Sequence, residues 1–162
     1  MIRRFNNKSD TLIGDYDTSG FTSTATTILN SITINPGDIV LRDVFTVYAG
    51  FEKSGSSIYD ITLYHNSAST LTNAVKLGEV TTGSGDTTPT FTRTIFVFDV
   101  ALLLSLDTTY SSYDDWGYYP APLVATTINN EIDINTTYLL IAARRTTAAT
   151  GGITNNFFNV EL

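Results

Sequence analysis

Residues 26–66 read TTILNSITINPGDIVLRDVFTVYAGFEKSGSSIYDITLYHN. Two turn signals, Asn35-Pro36-Gly37-Asp38 and Lys53-Ser54-Gly55-Ser56-Ser57, cut this stretch into three runs. Proline presets the backbone for a turn and glycine supplies the left-handed conformation that other residues avoid. In residues 39–51 the odd positions are Ile39, Leu41, Asp43, Phe45, Val47, Ala49 and Phe51. Only Asp43 departs from an apolar face, so the pattern predicts one long strand with a bulge at Asp43. In residues 58–65, Tyr59, Ile61, Leu63 and His65 share a face opposite Asp60, Thr62 and Tyr64. No run here carries the helical period. The stretch predicts antiparallel strands packed as a sandwich.

Working outward, residues 11–15 read as a short strand and 24–34 as a strand whose period breaks around Ile28, Asn30 and Ser31. Residues 75–81 form another strand, followed by the loop Gly83-Ser84-Gly85-Asp86. The apolar run from Thr90 is too long for one strand, so a strand to Val100 and then a bend or short helical turn over 102–106 is expected. Residues 108–122 read as an aromatic loop, with short strands at 123–129 and 131–134. Thr137-Tyr138-Leu139-Leu140-Ile141-Ala142-Ala143-Arg144-Arg145 is a central strand buried on both faces, and a polar loop follows over 146–154. Residues 156–162 bring Phe158, Val160 and Leu162 inward, on a strand expected near the middle of a sheet. The fold class is therefore all-β, a jelly-roll-like antiparallel β-sandwich of roughly eight to ten strands. Residues 1–10 read as an N-terminal arm and 11–162 as a single sandwich domain, with no linker and no repeat of fixed period.

Composition points the same way. The 162 residues are 42% hydrophobic and only 15% charged, enough to bury a core. Threonine is abundant and glutamine absent, a balance that suits pleated sheet better than helix. Net charge is −7. Three of the nine basic residues, Arg3, Arg4 and Lys8, fall in the first eight, which leaves six against all sixteen acids. So acidic a body repels phosphate backbones and argues against nucleic acid as a partner. The longest apolar-rich run, 95–106, is too short to span a bilayer as a helix, so no membrane association is expected. No apolar segment follows the charged start, which does not read as a signal peptide. With no cysteine, disulfides and thiolate metal sites are excluded.

The residues offer little reaction chemistry. His65 is the sole histidine, so any Ser–His system would have to use it. Its alternation with Ile61 and Leu63 reads instead as a core histidine. Asp114-Asp115 is the one adjacent acid pair, and neighbours on a strand point to opposite faces. The loop at 83–86 lacks both the third glycine of a dinucleotide fingerprint and the lysine of a P-loop. No catalytic residue, metal site or cofactor is expected. The segment YSSYDDWGYYP at 110–120 does stand out, with Tyr110, Tyr113, Asp114, Asp115, Trp116, Tyr118 and Tyr119 close together. Tyrosine and tryptophan join large contact area to a polar handle. The segment reads as a subunit interface or ligand loop, or as a plug over one end of the sandwich. Arg144-Arg145 reads either as a partner for acids of a neighbouring subunit or as the point where a strand leaves the core.

The order of these pieces resembles a known group. A threonine-rich strand leads to Asn35-Pro36-Gly37-Asp38-Ile39-Val40, then to Phe51-Glu52-Lys53-Ser54-Gly55 and Ile61-Thr62-Leu63-Tyr64-His65-Asn66. The chain closes on Tyr138-Leu139-Leu140-Ile141-Ala142-Ala143 and Phe157-Phe158-Asn159-Val160-Glu161-Leu162. From about residue 24 onward this resembles jelly-roll structural proteins of tailed bacteriophages: capsid decoration or head-fibre proteins and terminal domains of tail fibres. The resemblance implies a non-enzymatic virion protein on the capsid surface, made in the host cytoplasm. It implies a homotrimer that contacts other capsid proteins. The expected docking element is the arm, through Arg3, Arg4 and Phe5. The alternative is a carbohydrate- or receptor-binding module of a phage fibre, its aromatic loop holding a host surface glycan. The resemblance carries over no functional residues, and the Tyr/Trp segment lies outside it.

Overall fold

The computed structural model describes residues 4–7, 12–13, 25–99, 101–111, 116–117, 124–128, 130–147 and 149–162. Within them the chain is all-β, with two antiparallel sheets packed as a jelly-roll-like sandwich. Twelve strands are described: β1 Arg4–Asn7, β2 Leu12–Ile13, β3 Thr27–Ile34, β4 Val44–Lys53, β5 Tyr59–Asn66, β6 Val75–Thr81, β7 Thr90–Asp99, β8 Leu102–Ser111, β9 Trp116–Gly117, β10 Val124–Thr127, β11 Thr137–Arg145 and β12 Ile153–Glu161. The larger sheet runs β1-β12-β4-β7-β8-β10, with β2 also paired to β12 and β9 to β8; the smaller runs β3-β11-β5-β6. The sheets are stacked so that β3 lies against β12 and β1, and β6 against β10 and β8.

Alternation explains the core. Phe45, Val47, Ala49 and Phe51 of β4 and Phe91, Ile95 and Val97 of β7 face Ile61 and Leu63 of β5 and Leu139, Ile141 and Ala143 of β11. Leu140 and Ala142 are also fully buried but belong to the other face of β11, as its continuous apolar run predicts. Phe158 and Val160 are buried on β12, which sits between β1 and β4 inside its sheet, and Leu162 packs against the core from its rim. The broken period of β3 is a bulge at Leu29, where pairing with β11 steps from Asn30↔Ile141 to Ile28↔Ala142. One arginine enters the interior: Arg93 is buried on the inner face of β7 and its guanidinium lies over Gly78 of β6, where a Cβ would come within 2.9 Å of Nε.

The two sheets are also tied by a buried amide pair. Asn155 of β12 accepts from Asn30 Nδ2 at 2.8 Å, and its own Nδ2 donates to the Gly50 and Phe157 carbonyls at 3.0 and 2.8 Å. Asn30 Oδ1 in turn accepts the Ser31 N–H. The pair sits where β12 bulges, leaving Asn156 outside the ladder to β4. Both N–H groups of the Asn155 amide and its oxygen are used, so the network is favourable intact and costly when broken. Asn155→Leu is expected to destabilise the fold by about 2–3 kcal/mol, read as a lower urea midpoint at unchanged m-value.

Several expected elements differ. Residues 39–43 belong to a loop, not to β4. Asp38 takes the Asn35 N–H and Asp43 takes the Val40 N–H, while Arg42 adopts a positive φ of 71°. Ile39 is fully buried and anchors this loop, so its apolar character mimicked a strand position. Residues 131–134 are likewise a turn, with Ile132 as the buried anchor and Asn135 N–H bound to the Glu131 carbonyl. No bend or helical turn occupies 102–106: β7 reverses directly into β8, with Asp99 accepting the Ala101 N–H. Part of the expected aromatic loop is strand: 108–111 extend β8, and Trp116–Gly117 pair with it. Within the expected arm, residues 4–7 are sheet: β1 runs antiparallel to β12.

Candidate interaction surfaces

The two sites expected from sequence lie far apart in the larger sheet. Arg4 and Phe5 stand in register with Glu161 and Val160 of β12, at one edge. Tyr110 and Trp116 belong to the β8–β9 pair, in register with Gly117 and Ser111 respectively. Strands β12, β4 and β7 intervene. Arg3, Tyr113, Asp114, Asp115, Tyr118 and Tyr119 lie outside the described residues.

His65 faces the core and is 1% exposed. Neither ring nitrogen has a hydrogen-bond partner, and burial pushes its pKa down to about 4. A neutral imidazole enclosed by apolar neighbours is a packing group here. Among the described residues, no three His, Asp or Glu side chains converge on a metal-sized site, and no helix is long and apolar enough to cross a membrane.

One feature missed from sequence is a clasp at the end of the sandwich where β4, β6 and β11 finish. Lys53 continues the inward face of β4 and is buried. Its ammonium donates to the carbonyls of Gly55, Ser57 and Ser84 at 3.0–3.1 Å, using all three protons. Burial lowers its pKa, and the negative charge of buried Asp86 opposes that shift. Asp86 is itself fixed by the Gly83 N–H. Ser57 Oγ donates to the Ala149 and Thr150 carbonyls, and Tyr59 Oη donates to Gly151. The three loops 54–58, 82–89 and 146–152 are thereby locked together. The only sequence signal was a lysine in phase with Phe45 and Phe51.

The outer face of the smaller sheet carries internally paired polar groups around the buried Leu140 and Ala142. Arg144 Nη2 meets Asp60 Oδ2 at 2.6 Å and Thr81 Oγ1 donates to Asp60 Oδ1. Lys76 meets Glu79 at 2.8 Å, and Thr62 Oγ1 donates to the same carboxylate. The hydrogen bond and charge of Asp60 raise the Arg144 pKa above its usual range. Arg144 thus pairs within its own chain. The Arg144–Asp60 pair runs between β11 and β5, the Lys76–Glu79 pair runs along β6, and each has one exposed partner, so both are screened by solvent.

The outer face of the larger sheet has a different chemistry, legible by reading register across β12, β4, β7 and β8. One row is Val44–Phe96–Leu104, continued by Ala125 of β10. The next is Glu161–Thr46–Thr94–Asp107, with Arg4 of β1 beside Glu161. Then come Asn159–Tyr48–Thr92–Thr109 and Phe157–Gly50–Thr90–Ser111. Thr46 and Thr94 hydroxyls lie 3.4 Å apart. Phe157 covers Gly50, whose bare Cα lets the ring settle on the backbone. Val44, Phe98 and Phe157 are 48%, 59% and 39% exposed, and the Phe96 and Phe98 rings meet edge to face at 6.3 Å. Val40 and Leu41, also exposed, extend this apolar corner through the Arg42 N–H bond to the Val97 carbonyl. Formal charge enters the Glu161–Thr46–Thr94–Asp107 row and the end of β4, where exposed Glu52 is in register with Thr154.

No protein-family model matches the chain, and no curated protein matches it either.

Proposed function

We propose that this chain is a non-enzymatic structural protein of a virion: a capsid decoration, cement or head-fibre protein that assembles as a homotrimer through contacts between β-sandwiches. The observation that carries the reading is the combination of a jelly-roll-like sandwich with an outer sheet face built from threonine, tyrosine and exposed Phe and Val rather than from charge. Exposed apolar groups gathered on one face mark a contact surface. The resemblance to phage jelly-roll proteins supplies the class of particle, and the basic Arg3-Arg4 start supplies an element complementary to an acidic shell. A receptor- or glycan-binding fibre module is the second reading, favoured by the paired hydroxyl, carboxylate and guanidinium groups around Asp60 and Arg144.

The test is sedimentation of the purified chain, alone and with capsids stripped of accessory proteins. A trimer that co-sediments with capsids is expected. Because residues 4–7 are part of the sheet, the arm is better tested by charge than by deletion. Arg3→Ser with Arg4→Ser is expected to weaken capsid binding at least tenfold without moving the melting temperature. A stable monomer that ignores capsids overturns the reading, and binding to host envelope glycan instead transfers it to the fibre module.

A further inference from the structure

We infer that copies of this chain meet through the outer face of the larger sheet, centred on Thr46, Tyr48, Thr92 and Thr94 and rimmed by Val44, Phe98 and Phe157. The inference rests on the self-assembly in the preceding proposal and names the surface that would perform it.

Charge selects the occupant. The chain carries −7, so two copies repel unless they meet where acids are sparse. On the outer face of the smaller sheet, Asp60, Lys76, Glu79 and Arg144 sit on neighbouring strands and are already matched to one another. On the outer face of the larger sheet, the rows Val44–Phe96–Leu104, Asn159–Tyr48–Thr92–Thr109 and Phe157–Gly50–Thr90–Ser111 contain no ionisable group except Tyr48, and the acids fall in the Glu161–Thr46–Thr94–Asp107 row and at Glu52, in register with Thr154. A neighbouring copy packed on the centre of this face meets hydroxyls and rings, with the carboxylates of Glu52 and Glu161 towards its margins.

Area allows it. Four strands about 4.8 Å apart and about nine residues long at about 3.3 Å each span roughly 600 Å² in projection. The Val40–Val44 corner and the side-chain relief bring this near the ~800 Å² per partner that a standard interface buries. The chemistry then sets the kind of contact. Threonine hydroxyls donate or accept as required, so a Thr-rich face can re-pair across a seam directly or through water. Exposed Phe98 near the end of β7 and Phe157 in the middle of β12 provide the apolar anchors. By the same chemistry, the aromatic segment at Tyr110 and Trp116 borders this face through β8 and is not its centre.

The experiment is sedimentation velocity of the full chain over a wide concentration range, with Phe98→Glu, Thr92→Lys and a control, Thr33→Glu, on the exposed outer face of the smaller sheet. Each protein is checked for an unchanged urea midpoint. The expected result is assembly of the parent and of Thr33→Glu, and at least tenfold weaker association for both Phe98→Glu and Thr92→Lys. Two variants of opposite sign guard against a fold defect or a simple change in net charge. If the parent assembles and neither variant weakens it, this face is wrong while self-assembly stands. If the parent is monomeric at every concentration, self-assembly itself fails and takes the face with it.

Discussion

Gly151→Ala is expected to cost about 4 kcal/mol, lowering the melting temperature by roughly 10 °C in a domain of this size. Gly151 has φ +124°, a region that residues with a Cβ rarely enter. The environment compounds that strain. A Cβ at Gly151 would stand 1.9 Å from the Ser54 carbonyl oxygen, and one at the facing Gly55 would stand 2.2 Å from the Thr150 oxygen. Both obstacles are backbone, so neither can swing aside as a flexible side chain would. The loops 54–58 and 146–152 would have to separate, breaking the Ser54, Ser56 and Ser57 amide bonds to the opposite loop and uncovering the Lys53 clasp. Gly37 is the internal comparison. Its φ is +80°, yet nothing lies within 4 Å of the position a Cβ would take. Gly37→Ala therefore bears only the conformational term, about 1 kcal/mol. Equilibrium urea unfolding of both variants checks the difference; equal losses would show that the clash between loops carries no weight.

Acid is expected to weaken the fold through His65. Its folded pKa, about 4, lies below the ordinary value of 6.5, and desolvation is the cause. The unfolded chain therefore takes up the proton first as pH falls. Stability is full above about pH 6.5, declines between 6.5 and 4, and the loss levels off near 3 kcal/mol below the folded pKa. His65→Leu keeps a side chain of suitable shape and removes the titration. Unfolding free energies at pH 7.5 and pH 4.5 should differ by about 2–3 kcal/mol less in His65→Leu than in the parent. The acids titrate in both proteins, so the comparison isolates the imidazole. The variant should also be at least as stable as the parent at neutral pH, because two unpartnered ring nitrogens leave the core. An identical pH slope in both proteins would mean that the imidazole finds a partner in solution.

Much of the sandwich was legible because short-range alternation and burial agree. Residues 75–81 and 137–145 became β6 and β11 with no change of boundary, and the inward set of β4 from Phe45 onward was correct. Failures came where burial and strand character part company. Ile39 and Ile132 are loop anchors, and an apolar residue inside a turn looks the same in sequence as one on a strand. The β7–β8 reversal was hidden because apolar residues continue through it: Phe96 and Phe98 face outward near the turn. The Lys53 clasp was hidden for another reason. Its acceptors are main-chain carbonyls, which leave no side-chain signature. The threonine-rich outer face of the larger sheet was half visible. Alternation placed Thr46 with Tyr48, but only pairing order sets β12, β4, β7 and β8 side by side, and that order is non-local.

The position of β12 has a consequence for how the molecule is made. Residues 153–161 fill the slot between β1 and β4 and contribute Asn155 to the amide pair with Asn30, 125 positions earlier. Until they emerge from the ribosome, β4 has one open edge, the larger sheet is split, and Asn30 waits without its partner. Such long-range closure is slow, and an open strand edge is a template for pairing with the wrong chain. Synthesis of almost the whole domain therefore precedes any stable sandwich. A chain cut before Ile153 is expected to leave the edge of β4 open and to aggregate where the whole domain stays dispersed.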